Sequence, residues 1–137
     1  MALISSKGIY GLNAMYELLK HDNNIPLRAS QIASRADIPL NYLEQLLGKL
    51  KKAGLVESIR GVNGGFLLSK SPNDICIKDI IIALEGDIRV VDDKSNNHIL
   101  NLFFDDIGNE IVTMLSLSLV DFKKYQERYN ASLHYNI

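Results

Sequence analysis

The sequence predicts a mainly α-helical fold: a winged helix-turn-helix carrying a small β-hairpin wing, followed by a long C-terminal helix. Three observations predict it. Apolar residues recur at helical spacing through three N-terminal segments separated by short breaks. Two strand-like runs, "LVESI" and "GFLLS", then flank a glycine-rich turn, which is a hairpin signal. A second, longer apolar helical pattern stands apart downstream, from about Asn97 to Leu115.

The first helix is expected from about Ser6 to Lys20, with Ile9, Leu12, Met15, Tyr16 and Leu19 on its inner side and Ser5 or Ser6 as its cap. "HDNNIP" breaks the pattern as a turn. A short helix follows from Ala29 to Ala36, with Ile32 and Ala33 inward. Asp37 and Ile38 form a tight turn, and Pro39 suits the first position of the next helix, where a missing N–H costs nothing.

That third helix, "PLNYLEQLLGKLKKAG", gathers Leu40, Leu43, Leu46, Leu47 and Leu50 on one face. Opposite lie Asn41, Gln45, Gly48 and Lys52, flanked by Tyr42 and Lys49. Gly48 inside a helix costs about 1 kcal/mol relative to alanine, and close approach of a partner surface would supply a reason for it. Gly54 ends the helix. "CIKDIIIALEG" reads as a further short helix, "DIRVVDDKSNN" as a polar loop, and about Ser118 to Ala131 as a last amphipathic helix.

The glycines of "RGVNGGF" admit two readings, a phosphate-binding loop or a hairpin tip. A nucleotide-hydrolase loop needs Lys-Ser/Thr after its last glycine and a helix beyond it; here Phe66 opens a strand instead. A dinucleotide fingerprint needs that helix as well. Both cofactor readings fail on context. The wing reading needs only what is present: glycines that permit positive φ and Arg60, which can enter a narrow minor groove.

Charge distribution supports a polyanionic partner for one half. Residues 1–70 hold nine Lys/Arg against five Asp/Glu, and residues 71–137 hold six against eleven. The 47% apolar content is that of a globular chain, and no apolar run reaches the roughly 18 residues of a membrane span. The first twenty residues are amphipathic and lack the features of a signal peptide, so a cytoplasmic protein without membrane contact is expected. One cysteine, Cys76, cannot make an internal disulfide or a multi-thiolate metal site. No nucleophile–base pair stands out, and the chain is not expected to be an enzyme.

"SKGIYGLNAMYELL", "IPLNYLEQLLGKLKKAGLVESIRGVNGGFLLSK" and "IKDIIIALEG" resemble the Rrf2 family of bacterial winged-helix transcriptional regulators. The resemblance covers about residues 1–86, and "LSLSLVDF" echoes the family's ending. It implies a homodimer held by the long C-terminal helix on a roughly palindromic operator in double-stranded DNA. The division that follows is a DNA-binding domain over 1–86, a loop over 87–96 and a helical dimerisation region over 97–137.

Asn41 and Gln45 carry amides that can pair bidentately with adenine, Tyr42 suits a phosphate, and Lys49 and Lys52 add charge, with Lys51 at the edge. The resemblance supports Asn41, Tyr42, Gln45, Arg60 and Gly61, which match DNA-contacting positions of relatives. Ser6 and Lys7 offer exposed amides and charge to the DNA backbone. Leu100, Phe104, Ile107, Ile111 and Met114 alternate at spacings of four and three, a seam for a second subunit, with Ile99, Leu102 and Phe103 apolar on other faces.

Cluster-binding relatives carry three cysteines in the loop matching Asp87–His98; this chain has none there, so an iron–sulfur cluster is not supported and no cofactor is expected. Asp92, Asp93 and His98 match no metal-binding spacing, and a solvated loop is the favoured reading. Cys76 sits where relatives often have a Thr cap. A helix N-terminus favours a thiolate and hence a redox switch, whereas Asp74 and Asp79 oppose one; a half-buried structural cysteine is favoured. The function expected is a dimeric repressor, with regulation by a small-molecule or protein effector, or by Cys76 oxidation, as its alternative. A winged-helix module that docks a protein is the rival class.

Overall fold

A computed structural model describes residues 2–135 of the 137. α1 (Ser6–Lys20) starts where Ser5 supplies a cap, its hydroxyl accepting from the Lys7 amide at 3.3 Å. Ala14, Met15, Leu18 and Leu19 turn into the core. Ile9, expected inward, is 55% exposed. It lies six positions before Met15, about 120° round the helix from it, and so falls off the buried stripe.

α2 (Ala29–Ala36) buries Ile32 and Ala33 and ends on Asp37, whose φ of 54° is left-handed, a conformation that aspartate tolerates. α3 (Leu40–Lys52) follows. Pro39 precedes this helix instead of opening it: its backbone is extended, and its carbonyl accepts the Leu43 amide at 2.9 Å. Leu43, Leu46, Leu47 and Leu50 are buried, each burial favourable by about 1.5–3 kcal/mol. Leu40 shares their face but sits in the first turn, at the edge of the packed layer, and is 40% exposed.

β1 (Val56–Ile59) and β2 (Gly65–Leu68) form an antiparallel hairpin in which Val56 pairs with Leu68 and Ile59 with Gly65. Leu27 extends this ribbon on its other edge. It exchanges both backbone hydrogen bonds with Phe66, at 3.0 and 2.8 Å. α4 (Ile77–Glu85) lies across α1 and α3 and buries Ile77, Ile80, Ile81 and Leu84.

The chain then crosses the stretch 87–97, which is less polar in structure than in sequence. Ile88, Val90 and Val91 are half-buried, with Val90 near Gly108. α5 (His98–Leu115) is capped by Asn97, whose side chain accepts from the Ile99 amide at 3.0 Å. After α5 the chain returns to the N-terminal core. Ile77 donates to the Leu117 carbonyl at 2.8 Å, Leu119 donates to the Ile75 carbonyl at 2.7 Å, and Leu119 is fully buried.

The last helix divides into a 3-10 turn, Leu119–Asp121, and α6 (Phe122–Tyr135). Asp121 caps the start of the turn, its carboxylate accepting from the Ser118 amide at 3.0 Å. That hydrogen bond first, and then Lys124, hold the Asp121 carboxyl below its ordinary range. A depressed carboxyl contributes stability that is present above its unfolded value, near pH 4, and lost as pH falls through the folded value. Asp121→Asn is therefore expected to lower Tm at pH 7 and to converge with wild type in strong acid. A Tm difference that stays constant from pH 7 to pH 2 would exclude this linkage.

Candidate nucleic-acid interface

The four buried leucines of α3 fix its opposite face outward. Asn41, Gln45, Lys49 and Lys52 are all exposed there. Glu44, on the same exposed side and overlooked in the sequence reading, adds a carboxylate that can accept from a cytosine amino group and repels phosphate. Tyr42 is half-buried, its ring packed edge-on against Tyr10 at 5.6 Å between centroids, which restricts where the phenol points. Gly48 has nothing within 4 Å of a built Cβ, so no contact within the chain explains it. The Lys51 ammonium donates to Ser58 Oγ at 2.7 Å, which ties the end of α3 to β1 and leaves its charge on the exposed edge.

The hairpin tip, residues 60–64, carries Arg60 exposed at its start and Val62 85% exposed at its apex. Gly61 has φ 109°, in the region L residues avoid, and the Gly64 amide donates to the Gly61 carbonyl at 3.0 Å to close the turn. The tip is braced from outside the hairpin: the Arg28 guanidinium donates to the Val62 carbonyl. No local pattern signals this contact, which depends on the Leu27–Phe66 pairing bringing Arg28 alongside.

Ser6 and Lys7 are exposed at the start of α1, but the amides there are partly taken. Ser5 Oγ holds the Lys7 amide, and Glu85 at the end of α4 accepts from both the amide (2.7 Å) and the hydroxyl of Ser5. A carboxylate already sits on this helix terminus, which leaves the Lys7 ammonium as the stronger candidate contact.

None of the seam residues on α5 is buried within the chain. Leu100 and Ile107 are exposed, Phe104 and Ile111 half-buried, and Met114 is 74% exposed; Ile99, Leu102 and Phe103 are exposed on the other faces. Cys76 precedes α4, half-buried, with its thiol 3.9 Å from the Leu115 carbonyl. No group of three His, Cys, Asp or Glu side chains converges among the described residues, and no described helix is long and apolar enough to cross a membrane.

Residues 4–114 match the Rrf2 family, described as iron-dependent transcriptional regulators. The HTH-type transcriptional regulator CymR of Bacillus subtilis is 46% identical over 65% of this chain and 64% of its own length. The HTH-type transcriptional regulator IscR of Pectobacterium carotovorum is 41% identical over 62% of this chain and 52% of its own length. The chain thus spans between half and two thirds of these two relatives. The solved structure of CymR, the global cysteine regulator of B. subtilis, superposes with a TM-score of 0.81 at 38% identity, covering 91% of this chain and 98% of that one.

Proposed function

This chain belongs to the Rrf2 family of transcriptional regulators, and from that premise we propose that it is a homodimeric, sequence-specific DNA-binding repressor. Residues 1–86 bind DNA, the stretch 87–96 connects, and residues 97–137 dimerise. α3 enters the major groove and reads base edges through Asn41 and Gln45, while Tyr42, Lys49 and Lys52 hold the backbone. The Arg60–Gly61 wing reaches the minor groove, and Lys7 with Ser6 contacts the flanking phosphates. The observation that carries this reading is the outward face of α3, polar from Asn41 to Lys52 with its lysines gathered in the last turn, and fixed in that orientation by four buried leucines.

Regulators of this family are iron-dependent, and an iron–sulfur cluster would need thiolate ligands. The residues here do not fit one: the stretch 87–97 has no cysteine, and Cys76 lies outside it beside α4. The proposed DNA binding therefore needs no cluster, and dependence on a small-molecule or protein effector, or on Cys76 oxidation, is the alternative. The protein acts by occupying promoter DNA, not by catalysis, within the cytoplasm.

The test is in vitro selection from random duplex DNA with purified, reduced protein. A palindrome with half-sites about one helical turn apart is expected. No enrichment by folded, dimeric protein would reject cofactor-free DNA binding. On the selected site, Arg60→Ala and Gln45→Ala are each expected to cost about 1–3 kcal/mol of specific binding, whereas Lys52→Ala mainly flattens the salt dependence. An Arg60→Ala variant with unchanged affinity and salt slope would rule out the wing contact.

A further inference from the structure

We propose that Arg28 is a positioning residue for the wing, holding the hairpin tip in the geometry from which Arg60 meets DNA; this rests on the DNA-binding reading above. The two residues leading into α2 grip the hairpin at two heights. Leu27 pairs with Phe66, just below the Ile59–Gly65 pair that closes the ladder next to the tip, through hydrogen bonds of 3.0 and 2.8 Å. Arg28 reaches the apex, where its guanidinium donates to the Val62 carbonyl. The Arg28 backbone is itself anchored, its amide donating to Gln31 Oε1 at 3.0 Å in the first turn of α2. The brace therefore runs from the helix-turn-helix scaffold to the tip.

The tip needs such a brace. Residues 61–65 include three glycines, and glycine loses more conformational freedom on ordering than any other residue. Val62 is 85% exposed and packs on nothing that would hold it. Without Arg28 the tip samples orientations in which Arg60 points away, and DNA binding must then supply the ordering. Arg28 also carries charge beside the wing, so a direct phosphate contact is the competing role.

The two roles separate in a double-mutant cycle on the selected duplex. Arg28→Ala is expected to weaken specific binding by about five- to twentyfold, the order of one charge-assisted hydrogen bond at a surface. The same substitution in an Arg60→Ala background is expected to add little, because the residue that it positions is gone. Selectivity for the base pair beneath the wing narrows, and the salt slope stays. In protein without DNA, amide exchange at residues 61–65 speeds up. Losses that add in both backgrounds, with a slope shallower by about 0.9, would make Arg28 a phosphate contact and overturn the proposal. Unchanged affinity and exchange would overturn it too, by showing that the tip stands unaided. Wild-type protein that binds no selected duplex would defeat the DNA-binding reading and the positioning role with it; accelerated exchange in Arg28→Ala would then mark a purely structural brace.

Discussion

Ile107→Glu is expected to convert the protein from a dimer into a folded monomer and to abolish binding to a palindromic site. Ile107 lies midway along the seam formed by Leu100, Phe104, Ile107, Ile111 and Met114, on a helix of 18 residues none of which is buried in the single chain. A helix apolar around most of its circumference and left uncovered is an incomplete structure, and in the dimer proposed above a second copy of the same helix covers it. A two-fold dimer places the substituted residue in the interface twice. Burying an unpaired carboxylate costs several kcal/mol even after relaxation, so two cost on the order of 6 kcal/mol or more. At 1.4 kcal/mol per decade that weakens association by about four orders of magnitude. Asp106 and Glu110 flank the site in sequence and add repulsion. Ile107 is exposed in the protomer, so far-UV circular dichroism should not change. Sedimentation decides the matter: a variant that remains dimeric at micromolar concentration would mean that this seam is not the interface.

What was legible in the sequence follows from which interactions are local. α1 and α2 emerged with the bounds read from periodicity, because caps and apolar spacing act within a turn or two. The hairpin emerged because its glycines and flanking strands are adjacent in the chain. Pro39 was displaced by one position, since whether a proline caps or opens a helix depends on its ψ, which residue type does not fix. Ile9 and Leu40 keep the helical spacing of their neighbours yet stay exposed, because apolar identity does not say where a helix leaves the packed layer. The wing brace was illegible because Leu27 pairs through a single residue, too short a run for any alternation to register. Lys51 shows the same limit from the other side. Its charge was legible, but its hydrogen bond to Ser58 was not, because that contact depends on where β1 packs against α3.

Gly65→Ala is expected to destabilise the domain by about 2–4 kcal/mol and to detach the wing, and the reason differs from the one that glycines in a turn suggest. Gly65 adopts φ 146°, a conformation L residues rarely hold, but it is also pressed against the backbone of Leu27 and Arg28. A Cβ there would stand 2.7 Å from the Leu27 carbonyl carbon and oxygen and 3.0 Å from the Arg28 nitrogen, all backbone atoms that cannot rotate aside. Relief requires Leu27 to separate from Phe66, which breaks two backbone hydrogen bonds and withdraws Arg28 from Val62. Strained backbone and steric displacement thus add, reaching the upper range of single-residue effects. Gly61 supplies the control. Its φ of 109° is similarly unfavourable, but nothing lies within 4 Å of its built Cβ, so Gly61→Ala should cost only the strain, about 1–2 kcal/mol. Thermal unfolding of the two variants separates the causes. A larger Tm loss for Gly65→Ala, on the order of 10 °C, means that the hairpin is held by its contact with Leu27. Equal losses would mean that turn conformation alone governs the tip, leaving the Leu27 pairing without a role in placing Arg60.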